Sequence, residues 1–224
     1  MGIAGREIEL KFALTDAAEL EKLSASLGGK AGPTVEQINH FFDTAELDLH
    51  RTKHVLRLRE EDRSRYLLTA KGPGGSELGA LSERTELETN IDPSTARAIL
   101  EGSSSALSIL EQAIGAEAPL LRELRTLATR KPLKSVGKFR NTRTPQEVLV
   151  ELDAGFTQRV VFELDRTAFP DGRVDFEVEV ELQGAGDEAE RNRLAQAIRS
   201  LVEKAGISVR TAPSKAKRLF DALR

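Results

Sequence analysis

Glu7, Glu9 and Lys11 stand at every second position of REIELKF, residues 6–12, and alternate with Ile8, Leu10 and Phe12. Arg57 and Arg59 alternate in the same way with Leu56 and Leu58. Arg84, Glu86 and Glu88 are also spaced by two, and Asp175, Glu177, Glu179 and Glu181 alternate with Phe176, Val178, Val180 and Leu182. Successive side chains of a β-strand point to opposite faces, so each set shares one face. Carboxylates at i and i+2 stand about 6.5–7 Å apart at Cα, and side chains leaning from one face can hold a hard cation between them. Oxygen-only donors suit Mg²⁺ or Mn²⁺, with water and phosphate oxygens completing the shell. The arginines suit the opposite partner, since a guanidinium donates two parallel hydrogen bonds to phosphate oxygens.

Taken one strand at a time, a charged face is what a half-buried strand shows to water. Two features argue for more. Some faces are almost wholly acidic and others wholly basic, whereas a solvated sheet mixes signs and uses Thr, Ser and Lys. The run from Asp175 to Glu181 also repels itself unless cations or basic groups face it. A closed barrel with its charges turned inward meets both conditions. Its apolar faces then point outward and need amphipathic helices to cover them.

Periodicity and punctuation set out the elements that must hold these faces. Strands are expected over 6–13, 36–43, 54–60, 65–71 and 81–89, with EDRS joining 54–60 and 65–71 as a hairpin. Further strands are expected over 121–129, 136–142, 147–153, 159–168 and 174–182, the last two separated by the turn PDG. Helices are expected over 16–27, capped by Thr15 and stopped at Gly28-Gly29, over 93–114 with a polar interruption at GSSS, over 187–205 and over 213–223. Most strands are sequential neighbours, which favours antiparallel pairing. No Pro/Gly/Ser-rich linker or solenoid-period repeat divides the 224 residues, so residues 1–224 are read as one domain.

Composition narrows the function further. Lys plus Arg is 33 and Asp plus Glu is 36, a formal net charge of −3, which disfavours a general nucleic-acid binder. The chain has no Cys, which excludes disulfides and thiolate metal sites. No apolar run approaches a membrane span and the first residues lack an apolar h-region, so a soluble, cytoplasmic protein is expected. With no Trp and a single Tyr, Tyr66, a site that stacks an aromatic ring would have to use Phe or Arg. His50 and His54 have i, i+4 spacing, but His54 opens a strand, and packing is expected of them rather than metal binding. KGPGG at 71–75 lacks the P-loop pattern and reads as a turn after Lys71. Phe41 and Phe42 read as packing residues.

The charge pattern, taken in order, resembles the CYTH domain of the triphosphate tunnel metalloenzyme superfamily. Glu7-x-Glu9-x-Lys11 is similar to that family's N-terminal signature. NHFFDT at 39–44, with Phe41 for the usual Tyr, VLRLR at 55–59, LTAKGP at 68–73 and RTELE at 84–88 resemble its next strands. FELDR at 162–166, FEVEVE at 176–181 and SKAKRLF at 214–220 resemble its late strands and C-terminal lysine segment. Order and spacing hold from residue 7 to about 220.

The resemblance implies an α+β fold, a closed eight-stranded antiparallel barrel forming a tunnel with helices outside. It implies an enzyme, a metal-dependent triphosphatase using Mg²⁺ or Mn²⁺ on a small-molecule triphosphate, with inorganic triphosphate the first choice. Class IV adenylyl cyclase and thiamine or nucleoside triphosphatase are the alternatives, and a non-catalytic polyphosphate-binding module is another. Glu7, Glu9, Glu177 and Glu179 are implied as metal ligands, with Glu86, Glu88 and Glu181 in supporting places. Lys11, Arg57, Arg59, Lys71, Arg84 and Lys215 are implied as phosphate-binding, completed by Arg140 with Lys138, or instead by Arg143 or Arg130. Glu9, Glu179 and Lys11 are the implied catalytic groups.

Overall fold

The computed structural model describes residues 3–74, 81–129, 131–152, 156–182 and 187–223. In chain order the elements are β1 (Ile3–Leu14), α1 (Ala17–Leu27), β2 (Lys30–Ala31), β3 (Val35–Asp43), α2 (Asp48–Arg51), β4 (Val55–Glu61), β5 (Arg65–Lys71) and β6 (Leu81–Ile91). They continue with α3 (Pro93–Leu100), α4 (Ala106–Ile114), α5 (Pro119–Leu127), β7 (Lys134–Glu151), β8 (Thr157–Ala168), β9 (Val174–Glu181), α6 (Glu188–Lys204) and α7 (Lys215–Ala222). The strand order β7-β3-β4-β5-β6-β1-β9-β8 closes on itself through β7–β8, and the two-residue β2 adds to β7 outside the ring. Every pairing is antiparallel. This is the expected closed eight-stranded α+β barrel, with one short extra strand.

Because most of the lumen is charged, the two larger hydrophobic cores lie outside it. Leu10 and Phe12 of β1, Phe162 of β8 and Val178 and Val180 of β9 are fully buried on the outer face, under Leu23 of α1 and Leu194 and Ile198 of α6. A second core sets Leu56, Leu58, Leu68, Ala70 and Leu87 of β4, β5 and β6 against α3, α4 and α5. A third cluster is aromatic: Phe41, Phe139 and Phe169 pack against Leu219 and Phe220, so α7 closes one end of the barrel. Gly137 permits that seating, since a Cβ there would lie 2.7 Å from Leu223 Cδ1. Among the described residues, no helix is long and apolar enough to cross a membrane.

Several expected elements change form. Residues 121–129 are helical rather than extended: Pro119 sits in the first turn of α5, and Leu120, Leu121 and Leu124 are buried on one side. The helix over 93–114 is two helices, broken where Gly102 takes φ 77° and Ser105 caps α4. Asp16, not Thr15, caps α1, accepting from Glu19 N at 2.9 Å. Strands 136–142 and 147–153 merge into the single 18-residue β7, which passes through Pro145. Pro145 O accepts from Gly32 N at 2.8 Å, so the missing N–H faces the edge beyond the end of β3 and breaks no bond to β8. Residue 130 and residues 75–80 lie outside the described residues, so the Arg130 alternative and part of the expected Gly-rich turn are not placed.

Phe162→Ala removes a fully buried ring from the core between the barrel and α6. It should lower the unfolding free energy by about 3–5 kcal/mol, measured by denaturant titration.

Candidate active site

Inward-facing residues of all eight barrel strands line a cavity of about 690 Å³. Backbone parity puts Glu7, Glu9 and Lys11 of β1 on this face, with Arg57 and Arg59 of β4, Lys71 of β5 and Arg84, Glu86 and Glu88 of β6. Arg143 of β7, Glu163 of β8 and Glu179 and Glu181 of β9 complete the charged wall, and Lys215 reaches in from α7. Glu181 is exposed and sits at the rim.

The end nearest α7 is acidic. One oxygen each from Asp165, Glu177 and Glu179 lies within 4.8 Å of the other two, a carboxylate set whose hard donors fit Mg²⁺ or Mn²⁺. Lys215 Nζ occupies the middle of this set, 2.7 Å from Asp165 Oδ2 and 3.0 Å from Glu179 Oε1, and it also donates to Glu177. Lys11 Nζ bridges Glu179 at 2.7 Å and Glu9 at 3.1 Å. Arg143 donates to Asp165 and Glu179, each at 2.6 Å, and to Glu163. Arg218 pairs with Asp175 at 2.7 Å and with Glu177. Five carboxylates here, Glu163, Asp165, Asp175, Glu177 and Glu179, thus face four cations, one of which is shared with Glu9. The carboxyls divide: their cations hold Asp165 and Glu179 below the ordinary carboxylate value, whereas Glu177 and Glu163 lie above it. Burial, together with the neighbouring Glu179, raises Glu177 despite Lys215, and burial with Glu179 and Asp165 raises Glu163 despite Arg143. A cation fits this end on charge as well as on donor type.

Around the rest of the lumen, carboxylates and cations alternate. Lys71 Nζ holds Glu7 at 2.7 and 2.8 Å and meets Glu86 at 3.2 Å, and Arg84 donates to Glu7 at 2.9 Å and Glu9 at 3.3 Å. Burial would raise the Glu7 carboxyl, but the charges of Lys71 and Arg84 outweigh it and hold the group well below its ordinary value. Arg59 donates to Asn39 at 3.1 Å and lies 3.5 Å from Glu61. Arg57 is different. Its one side-chain hydrogen bond goes to Thr69 Oγ1 at 3.2 Å, its Nε is buried with no partner, and no carboxylate among the described residues is within ion-pair distance. Burial and the nearby Arg59 push its guanidinium down to about 10. A buried guanidinium left without an anion is costly, and an anionic ligand would relieve that cost.

The expected set is therefore largely brought together, with one correction. Lys138 and Arg140 are exposed on the outer face of β7, where Lys138 lies beside His40. Arg143 is the lumen cation of that strand: the inward residues of β7 are the odd ones, Phe139, Asn141 and Arg143. Asp165 and Glu163, within FELDR, join the site beyond the expected set, although their i, i+2 spacing carries the same signal as that of Glu177 and Glu179. The neutral wall was also missed. Asn141 donates to Asp165 at 2.9 Å and to Gln37 at 3.0 Å and accepts from Thr167 at 2.8 Å, and a lone amide leaves no pattern to read. His50 stacks on Phe220 with ring centroids 4.2 Å apart, while His54 bonds Glu123 at 3.1 Å, so each packs as expected.

The sequence profile of the CYTH domain matches residues 5–220. The chain belongs to the CYTH family. Solved structures of similar fold include HpAC1 from Hippeastrum, described as a candidate adenylyl cyclase with a dominant triphosphatase activity. It is 24% identical with a TM-score of 0.73, and the match covers 96% of this chain and 95% of that one. A candidate adenylate cyclase from Bacillus halodurans is 22% identical over 96% and 99% of the two chains, with a TM-score of 0.61. PH1819 from Pyrococcus horikoshii is 19% identical over 96% and 98%, with a TM-score of 0.58. No curated protein matches the chain. Within this CYTH barrel, the likeness to these structures is one of fold.

Two measurements probe the electrostatics. Arg57→Met should raise the unfolding free energy by about 1 kcal/mol, because it removes an unsatisfied buried charge, and should weaken calorimetric binding of inorganic triphosphate at least about tenfold. The folded Glu7 carboxyl lies below its ordinary value of 4.5. Its ion pairs therefore stabilise the fold in full above that value, and their contribution is lost as pH falls below it. Lys71→Met should flatten the acid limb of the stability–pH curve, read by thermal melts at stepped pH.

Proposed function

We infer that this CYTH protein hydrolyses a triphosphate with the help of a divalent cation, and that inorganic triphosphate is the preferred substrate. The observation that carries the reading is that Arg57, buried and without a carboxylate in ion-pair distance, lines the same cavity as Glu179, one of three clustered carboxylates whose hard donors suit a divalent cation. A ligand with several negative charges, able to meet both, satisfies the cavity.

In this reading Arg57, Arg59, Lys71, Arg84 and Arg143 donate to the phosphate oxygens and fix the chain along the lumen. Asp165, Glu177 and Glu179 hold the cation, with Glu7 and Glu9 on the adjoining strand and Glu86, Glu88 and Glu181 as further acidic groups. The cation, when bound, neutralises charge on the phosphate oxygens as it builds in the transition state. Glu9, held by Lys11 and Arg84, orients the attacking water and accepts its proton. Glu179, held by Lys11, keeps the cation-bearing wall in register with it. Water attacks the terminal phosphorus in line, and pyrophosphate leaves. Catalysis is then positioning and charge neutralisation, with no nucleophilic side chain.

The barrel is shared with a protein described both as a cyclase candidate and as a triphosphatase, so the assay must record both products. Inorganic triphosphate, thiamine triphosphate, ATP, GTP and long-chain polyphosphate should each be offered with Mg²⁺ and with Mn²⁺, and phosphate and cyclic AMP measured. Phosphate release from inorganic triphosphate should be fastest, and Glu9→Gln should lower kcat by at least about 10²-fold. Cyclic AMP as the main product from ATP would replace hydrolysis by cyclisation. Tight triphosphate binding with no turnover in either assay would leave a binding module.

A further inference from the structure

The contacts of Lys215 place a cation of the chain itself where the divalent cation would go. Its ammonium group touches all three carboxylates of the set, and its side chain is only 11% exposed. None of the three depends on it. Asp165 keeps Arg143, Glu177 keeps Arg218, and Glu179 keeps both Lys11 and Arg143. Removing Lys215 therefore strands no carboxylate. A divalent cation brings twice the charge to an end of the lumen that already carries surplus carboxylate, and it cannot share a space 4.8 Å across with an ammonium group.

We propose that Lys215 is an internal competitor for the cation: it fills the carboxylate set in the cation-free protein and must withdraw when the cation enters. The anchor that lets it do so is already built. Ser214 caps α7, Arg218 one turn on holds Asp175 and Glu177, and Leu219 and Phe220 stay in the aromatic cluster, so the lysine can swing while the helix remains docked. Ser214, Lys215 and Ala216 all line the cavity, so the displaced ammonium remains in the lumen. Entry of the cation thus frees a positive charge where a phosphate chain would lie. Cation loading and anion binding are coupled through one side chain. This inference rests on the cation-holding part of the proposed function and not on hydrolysis.

The test uses the full chain, freed of metal by chelation, and no triphosphate. Mn²⁺ binding should be measured by calorimetry, or by the electron spin resonance of free Mn²⁺, for the unaltered protein, Lys215→Met and Lys217→Met. Lys217 pairs with Asp221 on the outer side of α7 and serves as the control. Lys215→Met should bind Mn²⁺ about tenfold more tightly or better, and Lys217→Met should match the unaltered protein. Lysine footprinting of the unaltered protein, by acetylation and mass spectrometry, should show Lys215 protected without metal and several-fold more reactive with saturating Mg²⁺. Equal or weaker Mn²⁺ binding by a folded Lys215→Met overturns the proposal. So does a Lys215 footprint that Mg²⁺ leaves unchanged, which decides the matter even if the variant does not fold. A protein that passes both tests but releases no phosphate from any triphosphate keeps the competitor and loses the hydrolase.

Discussion

Charge compensation inside a closed barrel is the constraint on which the rest of the structure depends. The lumen gathers acidic and basic side chains away from bulk water, where a lone charge is expensive and a paired one is tolerated. Carboxylates of the lumen accordingly touch cations contributed by other elements, as Glu7 touches Lys71 and Arg84 and Glu177 touches Lys215 and Arg218. The pairs tie β1 to β5, β6 and β9 through side chains, and β6 and β9 are also its neighbours in the backbone ladder. Interior polarity also dictates the exterior. With a lumen that is apolar only where Phe41 and Phe139 meet α7, the barrel packs most of its hydrophobic faces outward, and α1 and α6 on one side and α3, α4 and α5 on the other are what keep them dry.

Compensation is not uniform, and the departures mark the chemistry. Near α7 the carboxylates outnumber their cations, and Glu177 and Glu163 are raised because burial and their acidic neighbours outweigh the pairing. On β4 the imbalance has the other sign, and Arg57 stands without an anion. A structure selected for stability alone would pair both or remove both. Two opposite deficits in one cavity are what a ligand with cationic and anionic parts would repair together, as a divalent cation bound to a phosphate chain does. The neutral wall of Gln37, Asn141 and Thr167 contributes differently, holding Asp165 by hydrogen bonds that add no charge to either side.

Much of this was legible before folding, for a physical reason. A period of two is a local property, so the shared faces of Glu7, Glu9 and Lys11, or of Glu177 and Glu179, could be read without knowing any partner strand. Parity fails on β7, where Lys138, Arg140 and Arg143 offer both odd and even cations and only the ladder to β3 and β8 shows which face is inward. It fails again at 121–129, where Leu120, Leu121 and Leu124 are spaced for a helix and only the second core supplies the surface they cover. Asp165 carried its signal in FELDR, but its weight in the site comes from proximity to Glu177 and Glu179, a fact about strands and not about residues.

The sequence by itself determined the alternation of charged and apolar residues, hence inward and outward faces, antiparallel strands, covering helices and membership of a family with that order of motifs. Only the tertiary structure decided which charge meets which. Closure of β7 on β8, the register of each pair and the docking of α7 bring Lys215 among three carboxylates and leave Arg57 without one. Those outcomes depend on distances of a few ångströms between residues far apart in the chain, and Coulomb energies in a buried site change steeply over such distances.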